Sequence, residues 1–148
     1  MFALKKMTKE MHDEVLAMVE QFYHSDAVCH PVPEERLEQT FADAVSDDPI
    51  LEGFVLTEDG KTVGFAYITE YYACEVGGRC LMFEELYLKE ETRGKGYGTR
   101  FFDEIMKAKI YPKIVYYYLK KQILFKEYWN VETQTENLKI CEKAIDKL

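Results

Sequence analysis

The residues with the clearest chemical potential lie in two neighbouring stretches, an acidic pair and a glycine-rich loop. Glu84 and Glu85 interrupt the otherwise apolar stretch CLMFEELYL. Two carboxylates in such a segment cost too much to bury without partners, and a carboxylate in a cleft can serve as a general base, directly or through water. At least one of them is therefore a candidate general base. The alternative is one solvent-facing and one salt-bridged glutamate. Because adjacent strand residues point to opposite faces, only one can face a cleft unless a bulge intervenes.

The glycine-rich loop RGKGYG, at residues 93–98, has the composition of an anion site. Glycine lets a ligand approach main-chain N–H groups closely, and the first amides of a following helix have no acceptor within that helix. Arg93, Lys95 and Arg100 add positive charge around it. Phosphate or pyrophosphate is the ligand that this loop favours.

Three phosphate-binding patterns compete for this loop. A Walker A loop would need a glycine where Lys89 stands and a hydroxyl residue where Gly96 stands. The dinucleotide fingerprint would need a third glycine where Thr99 stands and an acidic residue about 20 positions on, where residues 113–118 offer none. The pattern [RQ]-x-x-G-x-[GA] is matched in full by residues 93–98.

The elements that position these residues form a mixed α/β pattern. Apolar periodicity predicts the order β-α-α-β-β-β-α-β-α. Thr8 is predicted to cap the first helix, Pro33 to stand near the start of the second, and Asp59-Gly60 to close a hairpin. The glycine loop separates the third meander strand from a helix, and KIVYYYL follows as a strand parallel to it.

Composition narrows the function class. The chain has 148 residues and a net charge of −8, which predicts one domain over residues 1–148 and disfavours nucleic acid and anionic membranes as partners. The charge would attract a cationic substrate, although solubility alone would also explain it. The sequence has no metal-ligand spacing, no CxxC pair, no signal peptide and no membrane-spanning stretch, so we expect a metal-free, reduced, cytoplasmic protein. Cys74 and Cys80 could face each other across a hairpin.

The stretch FEELYLKEETRGKGYGTRFF resembles the acetyl-CoA-binding core of the GNAT superfamily of N-acetyltransferases, over about residues 1–119. The resemblance implies a mixed, mostly antiparallel central sheet flanked by helices, with a bulged, splayed strand pair that holds coenzyme A. The loop amides would bind the pyrophosphate, and the preceding strand would pair with the pantetheine through its backbone. The implied coenzyme-binding residues are Leu86, Tyr87, Leu88, Arg93, Gly94, Lys95, Gly96, Tyr97, Gly98 and Thr99.

The stretch FEEL is similar to the LEDL or LEDF stretch of polyamine and diamine acetyltransferases, in which the first acid helps to deprotonate the amine. This similarity implies Glu84 as the base and Glu85 as the second choice. It also implies that Glu70, Tyr71 and Tyr72 line the acceptor side.

The sequence defines two features less well. One is the residue that would donate a proton to the departing thiolate of coenzyme A, and the other is the end of the chain. The family often carries N-x-x-A-x-x-x-Y-x-x-x-G-F on its fourth helix, which this sequence lacks, and Tyr128 is the nearest assignment. Either residues 120–148 are divergent, or they are truncated or altered by a shifted reading frame, or a partner chain completes the sheet. A homodimer is one such arrangement. The predicted function is acetyl-CoA-dependent acetylation of a small cationic amine by direct attack. The alternatives are acetylation of a protein N-terminus or lysine, and coenzyme A binding with weak or no transfer.

Overall fold

In the described part of the chain, the fold is a five-stranded sheet with helices on both faces. The computed structural model describes residues 1–28, 30–74, 78–108 and 114–117. Its strands are β1 (Phe2–Lys6), β2 (Leu51–Glu58), β3 (Lys61–Ala73), β4 (Gly78–Leu88) and β5 (Ile114–Tyr117). Its helices are α1 (His12–Tyr23), α2 (Glu34–Ala44) and α3 (Tyr97–Ala108), with short 3-10 turns at Lys9–Met11 and Glu90–Thr92.

The sheet topology follows the chain. The strand order is β1-β2-β3-β4-β5, with antiparallel pairing through β4 and parallel pairing between β4 and β5. The predicted order of elements and the predicted mixed α/β fold are confirmed as far as β5. The last predicted helix lies outside the described residues.

Two hydrophobic cores cover the two faces of the sheet. Successive residues of β3 belong alternately to the two cores. Phe65 and Tyr67 pack beneath α1 and α2, whereas Ala66 and Ile68 pack beneath α3. This alternation is the period of two that a strand buried on both faces requires. The facing of each site residue can therefore be determined from its place in this alternation.

The first helix starts later than the sequence suggests. A 3-10 turn at Lys9–Met11 comes between Thr8 and α1, and the Thr8 side chain makes no capping hydrogen bond. The prediction of a Thr8 side-chain cap was wrong. Acidic residues Asp13 and Glu14 occupy the first turn of α1 instead, where the positive end of the helix favours negative charge.

One glycine is required by the close approach of β3 and β4. A Cβ atom on Gly64 would lie 2.1 Å from the carbonyl oxygen of Tyr87, well inside van der Waals contact. Gly64 pairs with Leu88 at the end of β4. The end of β4, which leads into the glycine loop, is thus held tightly against β3.

Candidate active site

A β-bulge in β4 decides where the two acidic side chains lie. Tyr67 of β3 pairs with Glu85, and the next residue of β3 pairs with Phe83, so Glu84 is the extra residue. The insertion reverses the alternation of the strand. Phe83 belongs to the core beneath α3, whereas Glu85 accepts a hydrogen bond from Tyr23 on α1.

Glu84 lies on the same face of the sheet as Glu85. Its Oε1 atom accepts a hydrogen bond of 3.0 Å from the hydroxyl of Thr69. Thr69 stands two residues after Tyr67 on β3 and so faces α1 and α2 as well. The bulge therefore places both carboxylates on one face, with Glu84 exposed and Glu85 partly buried.

Two tyrosines surround Glu85. The Tyr23 hydroxyl donates to Oε1 of Glu85, and Tyr67 lies directly across the strand pair with 1% of its surface exposed. Within the described part of the chain, the buried Tyr67 hydroxyl has no hydrogen-bond partner.

Burial and nearby negative charge keep both hydroxyl groups protonated. The pKa of Tyr23 is raised mainly by burial, then by the hydrogen bond to Glu85 and the charge of that residue, and last by the charge of Glu84. Burial, followed by the charge of Glu85, raises the pKa of Tyr67. At neutral pH both tyrosines can therefore donate a hydrogen bond.

The glycine loop is open, as its sequence predicts. Gly94 has a φ of 72° and Gly96 a φ of 75°, a left-handed conformation that glycine adopts without steric cost. A Cβ atom at either position would meet nothing within 4 Å. The amides of Gly94, Lys95 and Gly96 donate to no backbone carbonyl within the described residues. The Gly96 carbonyl accepts the amide of Arg100 at 3.1 Å, where α3 begins.

The positively charged side chains in and beside the loop contact carbonyl and carboxylate groups of the protein. Arg93 Nε donates to the Leu88 carbonyl at 3.0 Å, and Lys95 Nζ donates to the Glu91 carbonyl at 2.8 Å. Arg100 Nη1 lies 3.6 Å from a carboxylate oxygen of Glu58. The open main-chain amides, more than these side chains, are what the loop offers to an anion.

The second half of β4 contacts a neighbouring strand on one edge. Leu86, Tyr87 and Leu88 pair with β3, while the described residues of β5 pair only with Cys80–Phe83. The Tyr87 hydroxyl donates to Oε1 of Gln21 on α1 at 2.7 Å. Among the described residues, the backbone of 86–88 has no strand partner on the β5 side.

The structure divides the residues predicted for the acceptor side. Tyr71 follows Tyr67 and Thr69 in the alternation of β3 and shares the face of the two carboxylates. Glu70 and Tyr72 fall on the opposite face by the same alternation. Tyr71 is 38% and Tyr72 64% exposed. Of these three side chains, Tyr71 alone shares the face of the carboxylates.

Tyr128, the predicted proton donor, lies outside the described residues. Cys74 is exposed and Cys80 is buried, and neither forms a disulfide. Cys80 pairs with Tyr71 in the sheet register, so Cys74 and Cys80 do not face each other across the hairpin. Residues 1–28, 30–74, 78–108 and 114–117 contain no group of three or more side chains that could hold a metal ion.

Two site residues were missed by sequence reasoning. Apolar spacing places Tyr23 on the apolar face of the first helix and Tyr67 within a strand, and it assigns neither residue a functional role. A tyrosine at a buried position where phenylalanine would pack equally well indicates a polar contact, because its buried hydroxyl requires a hydrogen-bond partner.

Comparison with known proteins identifies the family. The model of the acetyltransferase (GNAT) family matches residues 16–110, and the chain therefore belongs to this family. Its members use acetyl-CoA as the acetyl donor, so the chain is an acetyl-CoA-dependent acetyltransferase. No curated protein matches the sequence. The family match does not distinguish the polyamine and diamine subgroup from others.

Solved structures share the fold at low sequence identity. A possible acetyltransferase from Clostridium difficile 630 is 15% identical with a TM-score of 0.66, over 93% of this chain and 89% of that one. A predicted acetyltransferase with acetyl-CoA from Clostridium acetobutylicum is 14% identical with a TM-score of 0.65, over 89% and 97%. AAC(6')-Iy in complex with a bisubstrate analogue is 13% identical with a TM-score of 0.64, over 95% and 89%.

None of the described helices is long and apolar enough to cross a membrane.

Proposed function

We propose that the protein transfers the acetyl group of acetyl-CoA to a small cationic primary amine, by direct attack in a ternary complex. The observation that carries the proposal is the bulge at Glu84, which puts two carboxylates on one face of β4, the strand that leads into the glycine loop. A chain with a net charge of −8 attracts such an acceptor from solution. The similarity of FEEL to the polyamine and diamine subgroup supports the same acceptor class.

Residues 86–99 hold the donor in this proposal. The pyrophosphate of acetyl-CoA binds the loop at residues 93–98 and the start of α3 at Thr99. The amides of Gly94, Lys95 and Gly96, which donate to no backbone carbonyl within the described residues, are its open donors. The pantetheine pairs with the backbone of residues 86–88, on the edge that the described part of β5 leaves open. The left-handed Gly94 and Gly96 support this assignment, because they keep side chains away from the amides.

The reaction requires one base and one acid. The base, Glu84 or Glu85, takes a proton from the ammonium group, and the neutral nitrogen attacks the thioester carbon. A C–N bond forms, the C–S bond breaks, and the sulfur of coenzyme A takes up a proton. One proton is released to solvent for each amine acetylated. Tyr128 stays the predicted proton donor for the sulfur.

The acceptor side of the proposal rests on Tyr71. Its partly exposed ring follows Thr69 on the face of the carboxylates. By alternation, Glu70 and Tyr72 lie on the opposite face of the sheet from the carboxylates. They could contact the acceptor only if it extended around the edge of the sheet. That residues 1–148 form one domain, and that the protein works in the cytoplasm, stay predictions.

A thiol-release assay with acetyl-CoA tests the proposal. The panel comprises diamines, polyamines, aminoglycosides and peptides with a free N-terminus, with acetyl-CoA binding followed in parallel by calorimetry. We expect turnover of small cationic amines in preference to peptides. Measurable binding of acetyl-CoA without turnover of any amine would favour a coenzyme-binding protein instead, and preference for peptides would favour protein acetylation.

A further inference from the structure

The hydroxyl of Tyr67 is a buried polar group that the described protein does not satisfy. The side chain is 1% exposed, and its hydroxyl has no hydrogen-bond partner within the described residues. Buried polar groups in native proteins are nearly always paired with protein, water or ligand. The unpaired hydroxyl is therefore expected to bind something that enters this part of the molecule.

What enters must suit a carboxylate as well, because Glu85 lies directly opposite Tyr67 on β4. The Oε1 atom of Glu85 accepts a hydrogen bond from Tyr23, and its Oε2 atom is buried. A ligand with several N–H donors and a positive charge, such as a primary ammonium group, could donate one hydrogen bond to the unpaired Tyr67 hydroxyl oxygen and lie against the negative charge of Glu85.

The two glutamates differ in environment. Glu84 is exposed and bonded to Thr69, so water screens its charge. Glu85 is partly buried. Among the described residues, the titratable groups beside it include Tyr23 from α1, Tyr67 from β3 and Glu84 from β4. A base that must be ionised yet poorly solvated needs hydrogen-bond donors, and Tyr23 provides one.

We propose that Glu85 takes the proton of the acceptor amine, that Tyr67 contacts the same ammonium group, and that Tyr23 is a positioning residue for Glu85. This inference rests on the proposed function. Tyr23 donates to Oε1 and holds the carboxylate ionised, and the Tyr67 oxygen accepts one N–H of the ammonium group while Glu85 accepts another.

The proton balance follows from this arrangement. One ammonium proton moves to Glu85, and the freed lone pair forms the C–N bond to the thioester carbon. The second proton is lost from nitrogen as the C–S bond breaks, and the thiolate gains one proton. Glu85 returns its proton to solvent, so the net reaction releases one proton.

The Tyr67→Phe variant separates a functional hydroxyl from a structural one. Removal of an unpaired buried hydroxyl leaves the melting temperature unchanged or raises it. With 1,4-diaminobutane as the probe amine, we expect kcat/KM to fall by about tenfold or more, because a hydrogen bond to a charged group is lost. Normal kcat/KM in this variant would overturn the role of Tyr67.

Thr57→Val is the matched control for loss of a buried hydroxyl. Thr57 is 4% exposed and its hydroxyl donates to the Ala3 carbonyl at 3.2 Å, at the paired ends of β1 and β2. This variant should melt at a lower temperature and keep its kcat/KM. A loss of kcat/KM like that of Tyr67→Phe would show that the assay reports stability, and would overturn the inference.

The Tyr23→Phe variant tests positioning. A carboxylate that loses a donor binds its proton more tightly, so the pKa of the Glu85 carboxyl rises and the acid limb of kcat/KM moves up by about one pH unit. A 13C NMR titration of the Glu85 carboxyl measures the same shift without turnover. An unchanged titration would overturn the role of Tyr23. A wild-type protein that acetylates no amine would instead contradict the proposed function, so the two failures are distinguishable.

Discussion

Tyr67 and Glu85 lie directly opposite each other on β3 and β4, and theirs is the pair next to the bulge at Glu84. Directly opposed residues of an antiparallel pair have Cβ atoms about 4.5–5.5 Å apart, which explains why the charge of Glu85 contributes to the raised pKa of Tyr67. Without the inserted residue, Glu85 would face the core beneath α3. One extra residue thus determines which face of the sheet receives the acidic pair.

The first prediction compares Glu84→Gln with Glu85→Gln, two isosteric changes in adjacent residues. We expect Glu85→Gln to lower kcat/KM by about 100-fold or more, the usual contribution of a general base. The loss should be greatest at pH values below the pKa of the amine, where the acceptor is protonated. Glu84→Gln should have a smaller effect, since Glu84 is exposed. Rates measured from pH 6 to 9 with a saturating acetyl donor check this.

Calorimetry with acetyl-CoA provides the control for both variants, which should bind the donor with the affinity of the wild type. A larger loss in Glu84→Gln than in Glu85→Gln would assign the base to Glu84, as the similarity to the polyamine subgroup implies. Unchanged rates in both variants would exclude both residues as the base.

The order of elements was predictable because its signals are local. Apolar spacing marks helices and strands, and the Asp59-Gly60 hairpin is confirmed, with φ of 50° and 78° at the two positions. The contact between Tyr23 and Glu85 joins residues 62 positions apart. No local pattern encodes such a contact, because it depends on how α1 crosses the sheet.

The site was predictable only in part for a related reason. The glycine pattern correctly indicated left-handed, open backbone at Gly94 and Gly96, because that property belongs to the residue type. The residue pattern of CLMFEELYL is compatible with a regular strand and with a bulged one, so the pattern alone does not predict the bulge. The facing of Glu70 and Tyr72 depends on the register of β3, which becomes known only when its partners are known.

The second prediction concerns Gly96→Asp. Its carboxylate would stand in the open space beside the loop amides and repel the pyrophosphate, so we expect the dissociation constant for acetyl-CoA to rise at least tenfold above that of Gly96→Asn, about 1.4 kcal/mol. Asparagine and aspartate both tolerate the left-handed conformation and have nearly the same shape, so the comparison isolates charge. Calorimetry measures both constants.

Gly60→Asp is the matched control for that experiment. Gly60 has a φ of 78° and open surroundings, like Gly96, but lies in the turn between β2 and β3. It should bind acetyl-CoA as the wild type does. Equal affinity in Gly96→Asp and the wild type would refute the assignment of the loop.

The third prediction concerns the close approach of β3 and β4. The Cβ of Gly64→Ala would meet the Tyr87 carbonyl oxygen at 2.1 Å, and backbone cannot move aside as a flexible side chain can. We expect the free energy of unfolding to fall by about 2–3 kcal/mol, measured by urea denaturation. Gly60→Ala, which meets open space but has a positive φ, should cost about 1 kcal/mol. A smaller loss in Gly64→Ala than in Gly60→Ala would contradict the prediction.

The fourth prediction concerns the pH dependence of stability. His12 on α1 bonds Asp13 and, across to α2, Glu38, each at 2.8 Å. The hydrogen bond to Asp13 first, then that to Glu38, raises the pKa of His12. A raised pKa means that the folded protein holds the proton more tightly than the unfolded chain does. The stabilisation is therefore complete below the unfolded pKa of about 6.5 and is lost as pH rises through the folded pKa.

His12→Asn should accordingly reduce the urea midpoint more at pH 5.5 than at pH 8.5. The edge-to-face contact of His12 with Phe41, at 5.2 Å between ring centroids, does not require the proton and contributes a constant difference at both pH values. The Glu38→Gln variant keeps the ring contact and removes one carboxylate, so it should weaken the pH dependence without abolishing it, because Asp13 remains. A loss of stability in His12→Asn that is the same at pH 5.5 and pH 8.5 would assign the whole effect to ring packing and none to the charged pair.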